Sequence, residues 1–152
     1  MVLENLIFWL LTAAYAAHIA EEYFLDWRSW AMQVSGFELK WRDFAIANAV
    51  VIVIGIAASL IGFSLPMVSY LFVGLAAANA IIAHLGATIV KKRFSPGLIS
   101  SLLLFIPLSA WAYHIAAKKG ILTIELLLVS LLGGTAIMSI PVVIQLLKNN
   151  RR

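Results

Sequence analysis

Cysteine is absent from this chain of 152 residues. Disulfides, iron–sulfur clusters and thiolate metal sites are thereby excluded, and any metal must be held by imidazole, carboxylate, amide or water. Charge is scarce too. Asp, Glu, Lys and Arg together make up 12% of the residues, against about 25% in a soluble domain. The first apolar run lacks a basic n-region and leads into acidic residues, so no cleavable signal peptide is expected. What is abundant is apolar: 63% of the residues are hydrophobic and the mean hydropathy is +1.00. This composition describes an integral membrane protein. The length allows one compact bundle and no separate soluble domain of ordinary size. A net charge of +4 gathered at one membrane face suits anionic lipid headgroups and not nucleic acid.

Five apolar runs, at about 2–23, 44–63, 67–90, 98–116 and 121–147, punctuate the chain. A transmembrane helix needs roughly 20 residues. The expected fold is therefore a single all-α membrane domain over 1–152 with five transmembrane helices. Between the first two runs, Trp27, Trp30 and Trp41 mix with charges of both signs, the pattern of an interfacial segment at headgroup level. Pro107 and Pro141 are expected to kink their spans. Gly133-Gly134 and the segment Ala76–Ala80 predict close helix packing, and such small-residue faces also leave oligomerisation open.

Basic residues in short loops set orientation. With the N-terminus outside, the inner side collects Arg28, Lys40, Arg42, Lys91, Lys92, Arg93, Lys148, Arg151 and Arg152, and the outer side only Lys118 and Lys119. The expectation is a multi-pass protein of the inner (plasma) membrane with a cytoplasmic C-terminus. Lys91, Lys92 and Arg93 would then meet lipid headgroups.

Ionisable residues inside such a scaffold are functional candidates by default. His18, Glu21 and Glu22 fall at i, i+3 and i+4, on one helical face. His84 precedes the Lys91 cluster by about two helical turns, and Asn48 lies about one turn inside its span. All five belong to the inner half. Asn79 lies nearer the midplane, while His114 and Glu125 fall at the other face, on the order of 20 Å away. Two histidines with one or two carboxylates suit zinc, iron or manganese. His18, Glu22 and His84 would be the ligands, Glu21 the general base, and Asn48 or Asn79 the orienting groups. The pattern is similar to the His-x-x-Glu-His of inverzincins, with Glu22 in place of the second histidine. The structural alternative makes Glu21 and Glu22 interfacial charges paired with Arg28, Lys40 or Arg93, and His84 a helix-packing donor.

The motif His18-Ile19-Ala20-Glu21-Glu22 resembles the signature of the HXXEE family of small bacterial membrane proteins. A second resemblance is Asn79 with His84, followed by a basic turn into Phe94-Ser95-Pro96-Gly97, similar to that family's aromatic-Ser-Pro-Gly turn. Together they anchor the resemblance over about 14–107. It implies a shared pattern and no activity, so function rests on the chemistry. The leading expectation is a metal-dependent, hydrolase-like intramembrane enzyme acting on a lipid or apolar substrate from the cytoplasmic leaflet. A proton-coupled transporter, or a scaffold or partner subunit, could use the same acidic motif.

Overall fold

The computed structural model describes residues 5–149; the expected start of the first span at Val2–Glu4 and the basic end Asn150–Arg152 lie outside the described residues. Six helices follow one another: α1 (Leu6–Phe24), α2 (Trp27–Ser35), α3 (Trp41–Ile61), α4 (Pro66–Lys91), α5 (Leu98–Lys118) and α6 (Ile124–Asn149). No strand occurs among the described residues. Pro66 opens α4 at its first turn, where its missing N–H leaves no bond unmade. Helix α2 is the interfacial segment. Asp26 caps its start by accepting from the Ser29 amide at 3.2 Å, and Gly36 closes it at φ +76°.

The count of spans needs correction. Among the described residues four helices, not five, are long and apolar enough to cross a membrane: α3 with its following turn to Ser64, α4, α5 and α6 to Lys148. Helix α1 has 19 residues, but His18, Glu21 and Glu22 in its last two turns lower its hydropathy. It runs the length of the bundle all the same. Asn5, just before α1, accepts from the Phe63 amide at one end, and Glu21 reaches Gly97 at the other. Phe8 and Leu11 are fully buried, and Ile7, Ala14 and Tyr15 nearly so. The four apolar helices instead turn large side chains outward: Val53, Leu60 and Leu132 are each about two-thirds exposed, as in a membrane protein whose outer surface meets lipid.

Helices α4 and α6 pack backbone to backbone. A Cβ added to Gly74 would lie 1.9 Å from the Ser130 carbonyl oxygen, and one on Gly134 would lie 2.2 Å from the Leu75 nitrogen. The small-residue face of α6 is thus covered within the chain. Tyr70 ties α4 to α5 by donating to the Ala112 carbonyl at 2.6 Å.

Two of the helices are not uniform. Helix α4 widens into π-helical turns over Asn79–Gly86, and α5 does so over Ser101–Phe105. Each wide turn holds an extra residue and re-aims the side chains beyond it, a feature common at functional sites. Pro107 follows the second one, where it lacks an amide for the helix.

Helix directions alternate, so one end of the bundle gathers the C-terminus of α1, the start of α3, the end of α4, the start of α5 and the end of α6. Lys148 and Gln145 both donate to Asp43 at 3.0 Å there, and Arg93 donates to Gln33 at 3.0 Å. At the opposite end the Lys119 ammonium sits 4.7 Å from the Phe63 ring centre.

Candidate metal centre

At the basic end, α1 contributes His18 and Glu22 from successive turns, and the wide turn of α4 contributes His84. The three are buried, with 0%, 6% and 1% exposure respectively. One Glu22 oxygen, Oε1, lies 3.6 Å from His18 Nε2 and 3.5 Å from His84 Nε2. Both separations exceed the 2.7–3.2 Å of an N–H···O hydrogen bond. They match the edge of a tetrahedron around an ion with ligand bonds of about 2.1 Å, an edge of about 3.4 Å. The three candidate ligand atoms all fall within 4.8 Å of one another. This cluster can hold a metal ion.

The far side of each imidazole meets a serine. His18 Nδ1 is 2.8 Å from Ser100 Oγ, and His84 Nδ1 is 3.1 Å from Ser95 Oγ. The rings stand nearly perpendicular, 82° apart, with centres 4.7 Å apart. Gly97 closes the gap beneath them at φ +95°, where a Cβ would come within 2.5 Å of His84 Cε1 and 2.7 Å of His18 Cε1. The Ser95-Pro96-Gly97 turn is therefore a wall of the cluster.

Glu21 does not join this cluster. Its Oε1 accepts from the amides of Gly97 at 3.1 Å and Ile99 at 3.0 Å. Its Oε2 accepts from the Ser100 amide at 2.7 Å and the Ser100 hydroxyl at 2.5 Å. These amides belong to the first turn of α5, whose N–H groups have no partner within their own helix. The carboxylate caps that helix from α1 and faces its positive dipole end. With both oxygens engaged, it is not placed as the general base the spacing suggested.

The asparagines are elsewhere as well. Asn48 donates to the Phe44 carbonyl of its own helix at 3.1 Å and lines an apolar groove between α1 and α3 with Ile19, Tyr23 and Trp41. Asn79 donates to the Tyr15 hydroxyl at 3.0 Å. The groups that hold the imidazoles are serines. Lys91, Lys92 and Arg93 lie exposed at the end of α4, outside the cluster. His114 is exposed near the opposite end of α5. In the sequence Ser95 and Gly97 stand out only as parts of a turn, and Ser100 carries no signal beyond its place just after that turn.

A family described as proteins of unknown function with an HXXEE motif matches residues 9–112. The chain belongs to the HXXEE family. Its signature residues divide the work seen here: His18 and Glu22 enter the cluster, and Glu21 caps α5. The HXXEE match takes in every residue of the cluster and its serine supports, and stops before α6. The chain is 30% identical over 120 residues to the uncharacterised protein YrkK of Bacillus subtilis (strain 168), covering 73% of this chain and 76% of that protein. No solved structure matches.

Proposed function

We propose that this protein is a metal-dependent membrane enzyme, hydrolase-like, acting on a lipid or other apolar substrate from the cytoplasmic leaflet. His18, Glu22 and His84 hold a divalent ion, zinc or else iron or manganese, and leave a fourth position for water. The carrying observation is the pair of Nε2 atoms 3.6 and 3.5 Å from a single Glu22 oxygen. Two histidines and one glutamate with an open position are a ligand set of catalytic zinc, which brings a bound water to a pKa of about 7. Basic side chains at the same end of the bundle support a cytoplasmic placement and contact with anionic headgroups.

Elemental mass spectrometry of the detergent-purified protein tests this reading. Near-stoichiometric metal in the wild type, lost in both His18→Ala and His84→Ala, is expected. Absence of metal after purification without chelators and an attempt at reloading overturns it, as does full occupancy in His84→Ala. In that case the burial of Glu22 between two imidazoles favours proton handling by the same triad, as in a proton-coupled transporter.

A further inference from the structure

The two consecutive glutamates of the motif have different surroundings, and the serine that touches both Glu21 and His18 shows what Glu21 contributes. Ser100 has one hydroxyl proton. It lies 2.5 Å from a Glu21 oxygen and 2.8 Å from His18 Nδ1. Both Glu21 oxygens already accept from backbone amides, so the hydroxyl donates to Glu21 and its oxygen is left to accept. The donor opposite it must then be His18 Nδ1–H. A neutral imidazole protonated at Nδ1 has its lone pair on Nε2. His18 Nε2 is buried without a hydrogen-bond partner and faces Glu22 and His84.

The geometry assigns Glu21 as a positioning residue that acts through the Ser100 hydroxyl to hold His18 in the Nδ1–H tautomer, with its Nε2 lone pair directed into the cluster. Glu21 also fixes where Ser100 stands, since it accepts from the Ser100 amide at 2.7 Å. Ser95 serves His84 in a weaker version of the same arrangement. Its hydroxyl lies 3.4 Å from the Pro96 carbonyl and 3.1 Å from His84 Nδ1. The ring nitrogen is the nearer of the two, so His84 lacks the constraint that Glu21 places on His18. This inference deepens the metal reading, but the tautomer itself is a property of the protein without metal.

The test is nitrogen NMR of 15N-histidine-labelled full-length protein in detergent micelles, prepared metal-free. His18 is identified by its loss in His18→Ala. The expected spectrum shows a protonated Nδ1 and an unprotonated Nε2 for His18. Ser100→Ala should shift His18 toward the Nε2–H form, and Ser100→Thr, which restores a hydroxyl, should recover the wild-type signature. A merely structural role for Ser100 would leave the tautomer unmoved. Glu21→Ala, which removes the acceptor of the Ser100 proton, should also shift it; the Ser100 pair carries the test if that variant fails to fold. An Nε2–H His18 in the wild type, or an unchanged tautomer in folded Ser100→Ala, overturns the assignment. Zinc titration of the same samples separates the two readings. A zinc affinity roughly 10–100-fold weaker in Ser100→Ala supports both, whereas a tautomer that shifts in Ser100→Ala while the wild type binds no zinc supports the positioning role and removes the metal.

Discussion

Gly97→Ala probes the cluster without touching a candidate ligand. At φ +95° an alanine carries the left-handed backbone penalty, about 1–2 kcal/mol. Its Cβ would sit 2.5 Å from His84 Cε1 and 2.7 Å from His18 Cε1. Ordinary contact begins near about 3.4 Å, so each ring must retreat by nearly 1 Å or the turn must open. Metal ligand distances hold to about ±0.2 Å. The rings can therefore accommodate the methyl or converge on an ion, but not both. Overpacking of this kind costs about 1–3 kcal/mol. Borne by the metal-bound state, that corresponds to roughly tenfold to hundredfold weaker binding. Gly36→Ala is the matched control: its φ is +76° and a Cβ there would meet nothing within 4 Å. Metal affinity by competition with a chelator, alongside thermal unfolding in detergent, reads both variants. Some loss of stability is expected in each, and loss of metal only in Gly97→Ala. Wild-type affinity in a folded Gly97→Ala protein would refute the reasoning.

Glu22→Gln keeps the side-chain volume and removes the one carboxyl group of the cluster, so metal should be lost while the helical circular dichroism stays; retained stoichiometric metal counts against Glu22 as a ligand. Gly74→Ala places a methyl 1.9 Å from the Ser130 carbonyl oxygen, which a backbone cannot avoid without parting α4 from α6. A cost of about 3 kcal/mol is expected, read as a lower unfolding temperature in detergent, and an unchanged one would mean that the two backbones are not so close. Asp26 is held below the ordinary carboxylate range by the hydroxyl and then the amide of Ser29. A depressed carboxyl pKa contributes stability above the unfolded value and loses it as pH falls through the folded one. The α2 cap should therefore persist at mildly acidic pH and fail only below the usual Asp range, and faster exchange of the Ser29 amide already near neutral pH would contradict this.

How much of this was legible in the chain depends on distance along it. The pairing of His18 with Glu22 is local, set by helical spacing, and hydropathy marked the long apolar helices. The presence of His84 in the same half followed from counting residues back from Lys91. Its pairing with Glu22 was expected on ligand chemistry alone, because the wide turns over Asn79–Gly86, which shift the direction in which His84 points, have no evident marker in the sequence. Glu21 was misjudged for a related reason. Sharing a face with His18 made it look like a neighbour of the same ion, yet the unpaired amides at the start of α5 compete for a carboxylate and come from a segment 79 residues later. Ser95 and Ser100 read as ordinary turn and helix-start residues until that segment folded against α1. The span count failed at α1 because a helix can run the length of a bundle while carrying polar side chains, provided its neighbours enclose them.

That enclosure has a consequence for how the protein is made. Helix α1 is synthesised before α4 and α5, so His18, Glu21 and Glu22 emerge before their partners exist. His84 arrives with α4, and the amides that satisfy Glu21 only with the start of α5. Until then these polar groups lack the partners that enclose them, so the place of α1 in the bundle is settled only after α4 and the start of α5 have been made.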